Sequence, residues 1–313
     1  MAMPLLQFKD VTKQFGKHLV LDKVSFDIYY KDIFGLIGLS GCGKTTILNI
    51  IIGFYKETKG NVYFHGEKIK TKRKIIQGLF GFASQGSSFY GKLTVKENLE
   101  YFGLMYNMPV ETIDRRINEL LNLVELSYAK DTIAENLSTG MQRRLDIACA
   151  MIHNPEVLIL DEPTEDLDPV LRKEMLALIK KINNDEGTTI IITSHLLGEV
   201  ELICSEIAII QTGKIIEMGT PDQIKKAYSK NQEIHIMSKP GNYDKLIKNI
   251  GQTDISKIIK KPHKIVIYTP NGQQVLHRVM QAIKRCNEEI IEISLAKPSL
   301  EEVFEAVTQK RFS

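Results

Sequence analysis

The segment Gly38-Leu-Ser-Gly-Cys-Gly-Lys-Thr-Thr46 fits G-x-x-x-x-G-K-[ST]. An apolar run precedes it and a helical pattern follows, which is the context in which this spacing binds phosphate. Gly38, Gly41 and Gly43 let the backbone curl so that successive N–H groups face inward as an anion-binding nest. The helix that opens there adds its dipole. Ser40, Cys42 and Thr46 complete the candidate nucleotide-binding loop. Lys44 is placed to reach β- and γ-phosphates, and the Thr45 hydroxyl to ligate Mg²⁺. Cys42 admits two readings. Its position simply accepts a small residue, or the electropositive loop lowers the thiol pKa and makes it open to alkylation.

A second run, Val157-Leu-Ile-Leu-Asp161-Glu162, is continuously apolar and ends in two carboxylates. A buried parallel strand delivers its C-terminal residues to the ligand edge of a sheet. Asp161 can there hold Mg²⁺ through water, while Glu162 polarises the attacking water. Apolar strands ending in acids are common, so the pair gains its meaning from the phosphate loop opposite.

Those groups need a scaffold that gathers them at one edge. The apolar, β-branched runs Ile33–Gly38, Leu79–Ala83, Val157–Leu160, Thr188–Thr193 and Glu206–Ile210 read as strands. Between them, Arg143–His153 carries Leu145, Ala148, Cys149 and Ile152 on one helical face. Strands alternating with such helices predict an α/β fold, a mostly parallel sheet covered by helices. Leu5–Tyr30 instead alternates as antiparallel strands and predicts a β-rich edge layer. Past Thr220 and Pro221, a helix start, the order becomes strand (Glu233–Met237), helix (Tyr243–Ile250), two strands around Pro262, helix (Gln273–Cys286) and strand (Ile290–Leu295). That is the split β-α-β-β-α-β order of a small α+β, ferredoxin-like domain. A last helix is expected from the Ser299/Glu302 capping box and the stripe Leu300, Val303, Phe304, Val307. The predicted division is residues 1–220 and 221–313, with a helical subdomain over about 86–150.

Composition sets the outer limits. The chain has 313 residues, 43% hydrophobic and 25% charged, values that exclude disorder and collagen-like fibres. No uncharged apolar run approaches the ~18 residues of a membrane-spanning helix, and Met1–Asp10 lacks the pattern of a secretory signal. Four dispersed cysteines form no C-x-x-C pair, which fits a reducing cytosol rather than a zinc or disulfide framework. The net charge of +3 divides unevenly: residues 222–313 hold 16 Lys/Arg against 10 Asp/Glu, the rest 25 against 28. The lysines of the basic part are scattered, which reads as a solvated face, and no direct nucleic-acid partner is expected.

Leu137-Ser-Thr-Gly-Met-Gln-Arg-Arg144 resembles the signature motif, usually LSGGQ, of ABC (ATP-binding cassette) proteins. Ser138 falls 94 residues after Lys44 and 23 before Asp161, a spacing similar to that of transporter subunits and unlike the long coiled-coil insertions of chromosome-associated members. The resemblance covers residues 4 to about 220 and implies a P-loop NTPase cassette binding ATP and Mg²⁺. It further implies that Phe15 is the aromatic stacking on adenine, although a core strand aromatic is an equal reading. By the same resemblance Gln85 senses the metal and attacking water, and His195 is the switch histidine contacting the γ-phosphate. Leu93–Leu99 looks like the start of the helical subdomain. Family members pair head-to-tail, so Ser138 and Gly140 are expected to act on the partner's ATP, in a homodimer or a heterodimer with another ATP-binding subunit. Phe89 and Tyr90 are candidate anchors for a separate membrane permease, with the chain at the cytoplasmic face of the membrane.

Two stretches depart from the family pattern. The signature has Thr139 and Met141 where Gly and Gln are usual, and Thr164-Glu-Asp-Leu-Asp168 has Glu165 and Asp166 where the D-loop carries a small residue and Gly. Lys297–Phe304 is similar to the ending of drug and ABC-2-type exporter ATPases. The resulting expectation is an ATPase driving export through a permease. The alternatives are a soluble ABC-type ATPase acting on a ribosome or DNA, and a generic P-loop kinase or GTPase. One P-loop per chain weighs against the first of these, and the Leu137–Arg144 signature against the second.

Overall fold

The computed structural model describes residues 3–69, 78–228 and 232–296, together with Leu300 and Phe304. The chain divides into two compact units, Met1–Thr220 and Pro221–Ser313.

The first unit is organised by the continuously apolar runs. β3 (Ile33–Ile37), β7 (Val157–Asp161) and β8 (Thr189–Ser194) are buried along their whole lengths. Strands apolar on both faces belong in the middle of a helix-covered sheet. The sheet order is β10-β9-β3-β8-β7-β6, with β6 at Phe80–Ala83, β9 at Glu206–Gln211 and β10 at Lys214–Gly219. β9, β3, β8, β7 and β6 run parallel, and β10 turns back antiparallel on the edge.

The alternating N-terminal segment forms the expected separate layer. β1 (Leu6–Phe15) pairs antiparallel with β2 (His18–Ile28) and with β4 (Lys59–Phe64), and β5 (Glu67–Lys68) closes the order β2-β1-β4-β5. Phe8 stacks on Phe26 at 4.4 Å between ring centroids, and Phe26 on Phe34 at 5.3 Å. This aromatic column ties the layer to β3 and makes one core of both sheets.

α1 (Lys44–Ile51) follows the phosphate loop directly. α2 (Val95–Met105) starts on a capping box in which Thr94 and Glu97 satisfy each other's backbone N–H. α3 (Val110–Leu123) and α4 (Thr139–Met151) complete the helical part. The apolar spacing alone suggests a helix over Arg143–His153. The helix starts four residues earlier because the Ser138 hydroxyl accepts from Met141 N–H and caps it. α5 (Pro169–Glu186) has Asp168 as its cap and ends at Gly187 with φ +67°, and α6 (Leu197–Ile203) follows β8.

The second unit opens with α7 (Pro221–Tyr228). β11 (Gln232–Lys239), α8 (Tyr243–Ile250), β12 (Lys257–Lys261), β13 (Lys264–Thr269), α9 (Gly272–Cys286) and β14 (Glu289–Ala296) then follow the split order read from the sequence. The sheet is antiparallel throughout in the order β12-β13-β11-β14. Ile234, Ile236, Ile265 and Ile267 line its inner face beneath Leu246, Val275 and Val279 of α8 and α9. The Ser299/Glu302 capping box, Val303 and Val307 lie outside the described residues, whereas Leu300 is buried and Phe304 half-buried.

Candidate active site

Strand register gathers the site. Leu36, Thr193 and Asp161 align across β3, β8 and β7, and Leu160 aligns with Ala83 of β6. The residues that follow each strand therefore emerge at one edge: the loop from Gly38, then Gln85, Glu162 and His195. They surround a cavity of about 500 Å³ lined by Val20, Leu39–Gly41, Gly43–Thr46, Gln85, Asp161, Glu162, Glu165 and His195. That volume lies within the ~300–1,000 Å³ usual for small-ligand sites.

The phosphate loop is built around its glycines. A side chain on Gly38 would meet the Ile210 carbonyl oxygen at 2.4 Å, and Gly43, at φ +115°, caps α1. Lys44 is buried and donates to the carbonyls of Gly38 at 2.7 Å and Leu39 at 3.5 Å. The ammonium thus crosses the mouth of the loop, where an anionic ligand would otherwise meet only neutral N–H groups. Cys42 turns inward with its Sγ beside Gly38. Burial pushes its thiol up in pKa, against the opposing pull of Lys44. The reading of Cys42 as an activated thiol is therefore overturned: desolvation of the thiolate outweighs the nearby positive charge.

The two carboxylates occupy different settings. Asp161 is buried, accepts from the Thr193 hydroxyl at 2.6 Å, and lies 3.5 Å from the Thr45 hydroxyl. Desolvation raises its pKa, and the Thr193 bond opposes that rise. A buried carboxylate next to a hydroxyl at the loop offers the hard oxygen pair a divalent cation requires, so the residues present fit Mg²⁺. Glu162 has φ +52°, and its N–H donates to Thr193 Oγ1 at 3.0 Å. One of its carboxylate oxygens lies 3.5 Å from Lys44 Nζ. The other accepts from His195 Nδ1 at 2.8 Å and His195 N–H at 3.2 Å. The acid most suited to activate water is thus held between the phosphate-loop lysine and the histidine after β8.

Gln85 sits at the cavity and donates its amide N–H to Glu165, which follows Glu162 in a tight turn. Asp166 takes φ +62°, so it supplies the left-handed conformation for which glycine is usual, a geometry Asp tolerates better than most residues. Downstream of Gln85, buried Asp146 of α4 accepts from Ser88 N–H at 2.7 Å and pins this segment to the signature helix. Burial raises the Asp146 carboxyl to about 6, against the lowering effect of the Ser88 bond and Arg143. Tyr90 is exposed and Phe89 half-buried.

Five expected residues do not line this cavity. Gly38 and Cys42 lie behind the loop they shape. Ser138 and Gly140 are at the start of α4, where Gly140 packs on Leu171. Phe15 is 41% exposed, which removes the reading as a core aromatic. It meets Tyr55 edge-on at 5.0 Å with the Lys13 ammonium 4.4 Å from its ring. Sequence reasoning in turn missed Thr193, Val20 and the cavity position of Glu165.

Fold and site define a P-loop nucleotide-binding α/β protein with an appended ferredoxin-like unit. The chain matches the ABC transporter family over residues 21–165 and the ATP-binding protein DrrA1-3-like, C-terminal domain over residues 219–308. It is 30% identical to the bacitracin transport ATP-binding protein BcrA of Bacillus licheniformis over 96% of each chain. It is also 32% identical to the linearmycin resistance ATP-binding protein LnrL of Bacillus subtilis, over 96% of this chain and 97% of that one. In fold it is similar to cbiO1 from Clostridium perfringens, part of the ABC transporter complex cbiONQ, with TM-score 0.68 over 71% of this chain and 91% of that one at 24% identity. The chain belongs to the family of ABC transporter ATP-binding subunits, which hydrolyse ATP to drive transport. Among the described residues no helix is long and apolar enough to cross a membrane.

Proposed function

We propose that this chain hydrolyses Mg-ATP between two head-to-tail copies, or between itself and a second ATP-binding subunit, and so drives a separate permease in export. The observation that carries the reading is the convergence of Lys44, Asp161, Glu162, His195 and Gln85 on one cavity. Lys44 and the N–H groups of Ser40–Thr46 bind the phosphates, with the dipole of α1 behind them. Thr45 and Asp161, with Gln85, hold the metal, which when bound neutralises phosphate charge. Glu162 orients and deprotonates the attacking water, and His195 fixes the Glu162 carboxylate. Phe15, on the surface beside Tyr55, is the adenine-stacking face. Ser138 and Gly140, outside their own cavity at a helix start, bind the ATP of the partner subunit.

Export is supported by the two relatives of matching length, named for bacitracin transport and linearmycin resistance. A non-membrane role on a ribosome or DNA has no counterpart in them. The permease places the chain at the cytoplasmic face of the membrane, with Tyr90 as an exposed anchor toward it.

The test is Glu162→Gln. It should retain ATP binding, lower turnover by roughly 10²–10⁴-fold, and accumulate an ATP-bound dimer on gel filtration. Retained turnover would remove Glu162 from its role. A variant that stays monomeric in ATP, both alone and with its permease, would remove the head-to-tail clamp.

A further inference from the structure

Glu165 stands where the family pattern has a small residue, yet it faces the cavity rather than solvent alone. Its place is set by the turn after β7. Glu165 N–H bonds to the Glu162 carbonyl at 3.2 Å and Leu167 N–H to the Thr164 carbonyl at 3.3 Å. Asp166 takes φ +62° between them. The turn is anchored from outside by Thr164 Oγ1 on Glu199 and by Arg172 Nε on the Leu167 carbonyl at 2.8 Å. The turn thus fixes the backbone from which the Glu165 side chain projects toward the cavity.

That carboxylate accepts the amide N–H of Gln85. A primary amide has a donor end and an acceptor end of nearly equal size, and left alone it can present either. An ionised carboxylate only accepts, so it holds the nitrogen end and leaves the Gln85 oxygen turned the other way. For a residue whose use is to offer oxygen to a cation, that orientation decides whether it functions at all.

We propose that Glu165 is a positioning residue for Gln85, capturing Nε2 so that Oε1 is presented to the divalent cation. This rests on the assignment of Gln85 to the metal. The interaction resembles the outer groups that orient metal ligands elsewhere, whose loss costs ~10–100-fold in metal affinity. It also links the segment after β6 to the segment after β7 through a single side-chain contact.

The experiment measures Mn²⁺ binding to the full chain with a non-hydrolysable ATP analogue, by the electron paramagnetic resonance signal of free Mn²⁺. The chains compared are wild type, Glu165→Ala, Glu165→Gln, Gln85→Ala and the Gln85→Ala/Glu165→Ala double variant. Gln85 is exposed and Glu165 half-buried, and far-UV circular dichroism checks that each variant is folded. Glu165→Ala should weaken Mn²⁺ on the order of tenfold, and the double variant should be no weaker than Gln85→Ala. Glu165→Gln, which can pair with the amide in either sense, should fall between wild type and Glu165→Ala. Wild-type affinity in Glu165→Ala overturns the proposal. So does a Glu165→Ala loss that persists undiminished without Gln85, since the carboxylate would then act by charge alone. Wild-type affinity in Gln85→Ala instead removes Gln85 from the metal, and the proposal falls with it.

Discussion

Asp146→Asn isolates the cost of holding the segment after Gln85 with a buried charge. Asp146 is 2% exposed, accepts from Ser88 N–H, and has Arg143 at 4.0 Å. Its second oxygen, Oδ2, has no hydrogen-bond partner among the described residues. Its carboxyl titrates at about 6, against a reference value of 3.8. The folded chain therefore binds this proton more tightly than the unfolded chain does. The contribution of Asp146 to stability therefore falls as pH rises from about 4 through 6, and then stays level. At 1.36 kcal/mol per unit the ionised side chain costs about 3 kcal/mol at pH 8. The substitution keeps an oxygen for Ser88 N–H and removes the charge. Its advantage over wild type should grow by about 1.4 kcal/mol between pH 5 and pH 8. Urea unfolding followed by circular dichroism at pH 5, 6, 7 and 8 reads this directly. A difference that is flat with pH, or a variant less stable than wild type at pH 8, refutes the buried-charge argument.

Thr193→Val removes the hydroxyl bonded to both Asp161 and Glu162 N–H. It should cost about 1–3 kcal/mol in urea unfolding and raise the Asp161 pKa further; an unchanged midpoint would count against the network. Gly38→Ala forces Cβ to 2.4 Å from the Ile210 carbonyl oxygen and should abolish binding of a fluorescent ATP analogue. Gly41→Ala meets nothing within 4 Å but sits at φ +78°, so it should cost only about 1–2 kcal/mol of stability. Cys42, buried with a raised thiol pKa, should resist maleimide in the folded chain with or without ATP. Rapid modification of Cys42 in mass spectra would refute that.

Much of the site was legible because parallel strands share one C-terminal edge. Once Ile33–Ile37, Val157–Asp161 and Thr189–Ser194 are recognised as buried strands, Lys44, Asp161, Glu162 and His195 must emerge together. What was not legible depends on neighbours fixed only by the fold. Thr193 reads in sequence as one more β-branched strand residue, and its role follows from the register that sets it beside Asp161. Asp146 is a charge adjoining an apolar stripe, buried because the Ser88 segment folds over it. Val20 reaches the cavity from the antiparallel layer, a contact no local pattern encodes. Phe15 matched the motif position, but only the fold shows that its ring stays exposed beside Tyr55 and Lys13 rather than entering the core.

The loops around the cavity are joined by side chains more than by the sheet that presents them. The segments after β7 and β8 are linked twice, by Glu162 to His195 and by Thr164 to Glu199. Glu162 also reaches Lys44, and Glu165 reaches Gln85. Every one of these contacts involves a carboxylate, and two of the four carry a formally cationic or titratable partner. An anionic ligand that draws Lys44 to itself competes for one arm of Glu162 and leaves the other on His195. Asp161 and Glu162 repel one another, and a divalent cation held beside Asp161 would offset that charge as Lys44 does now.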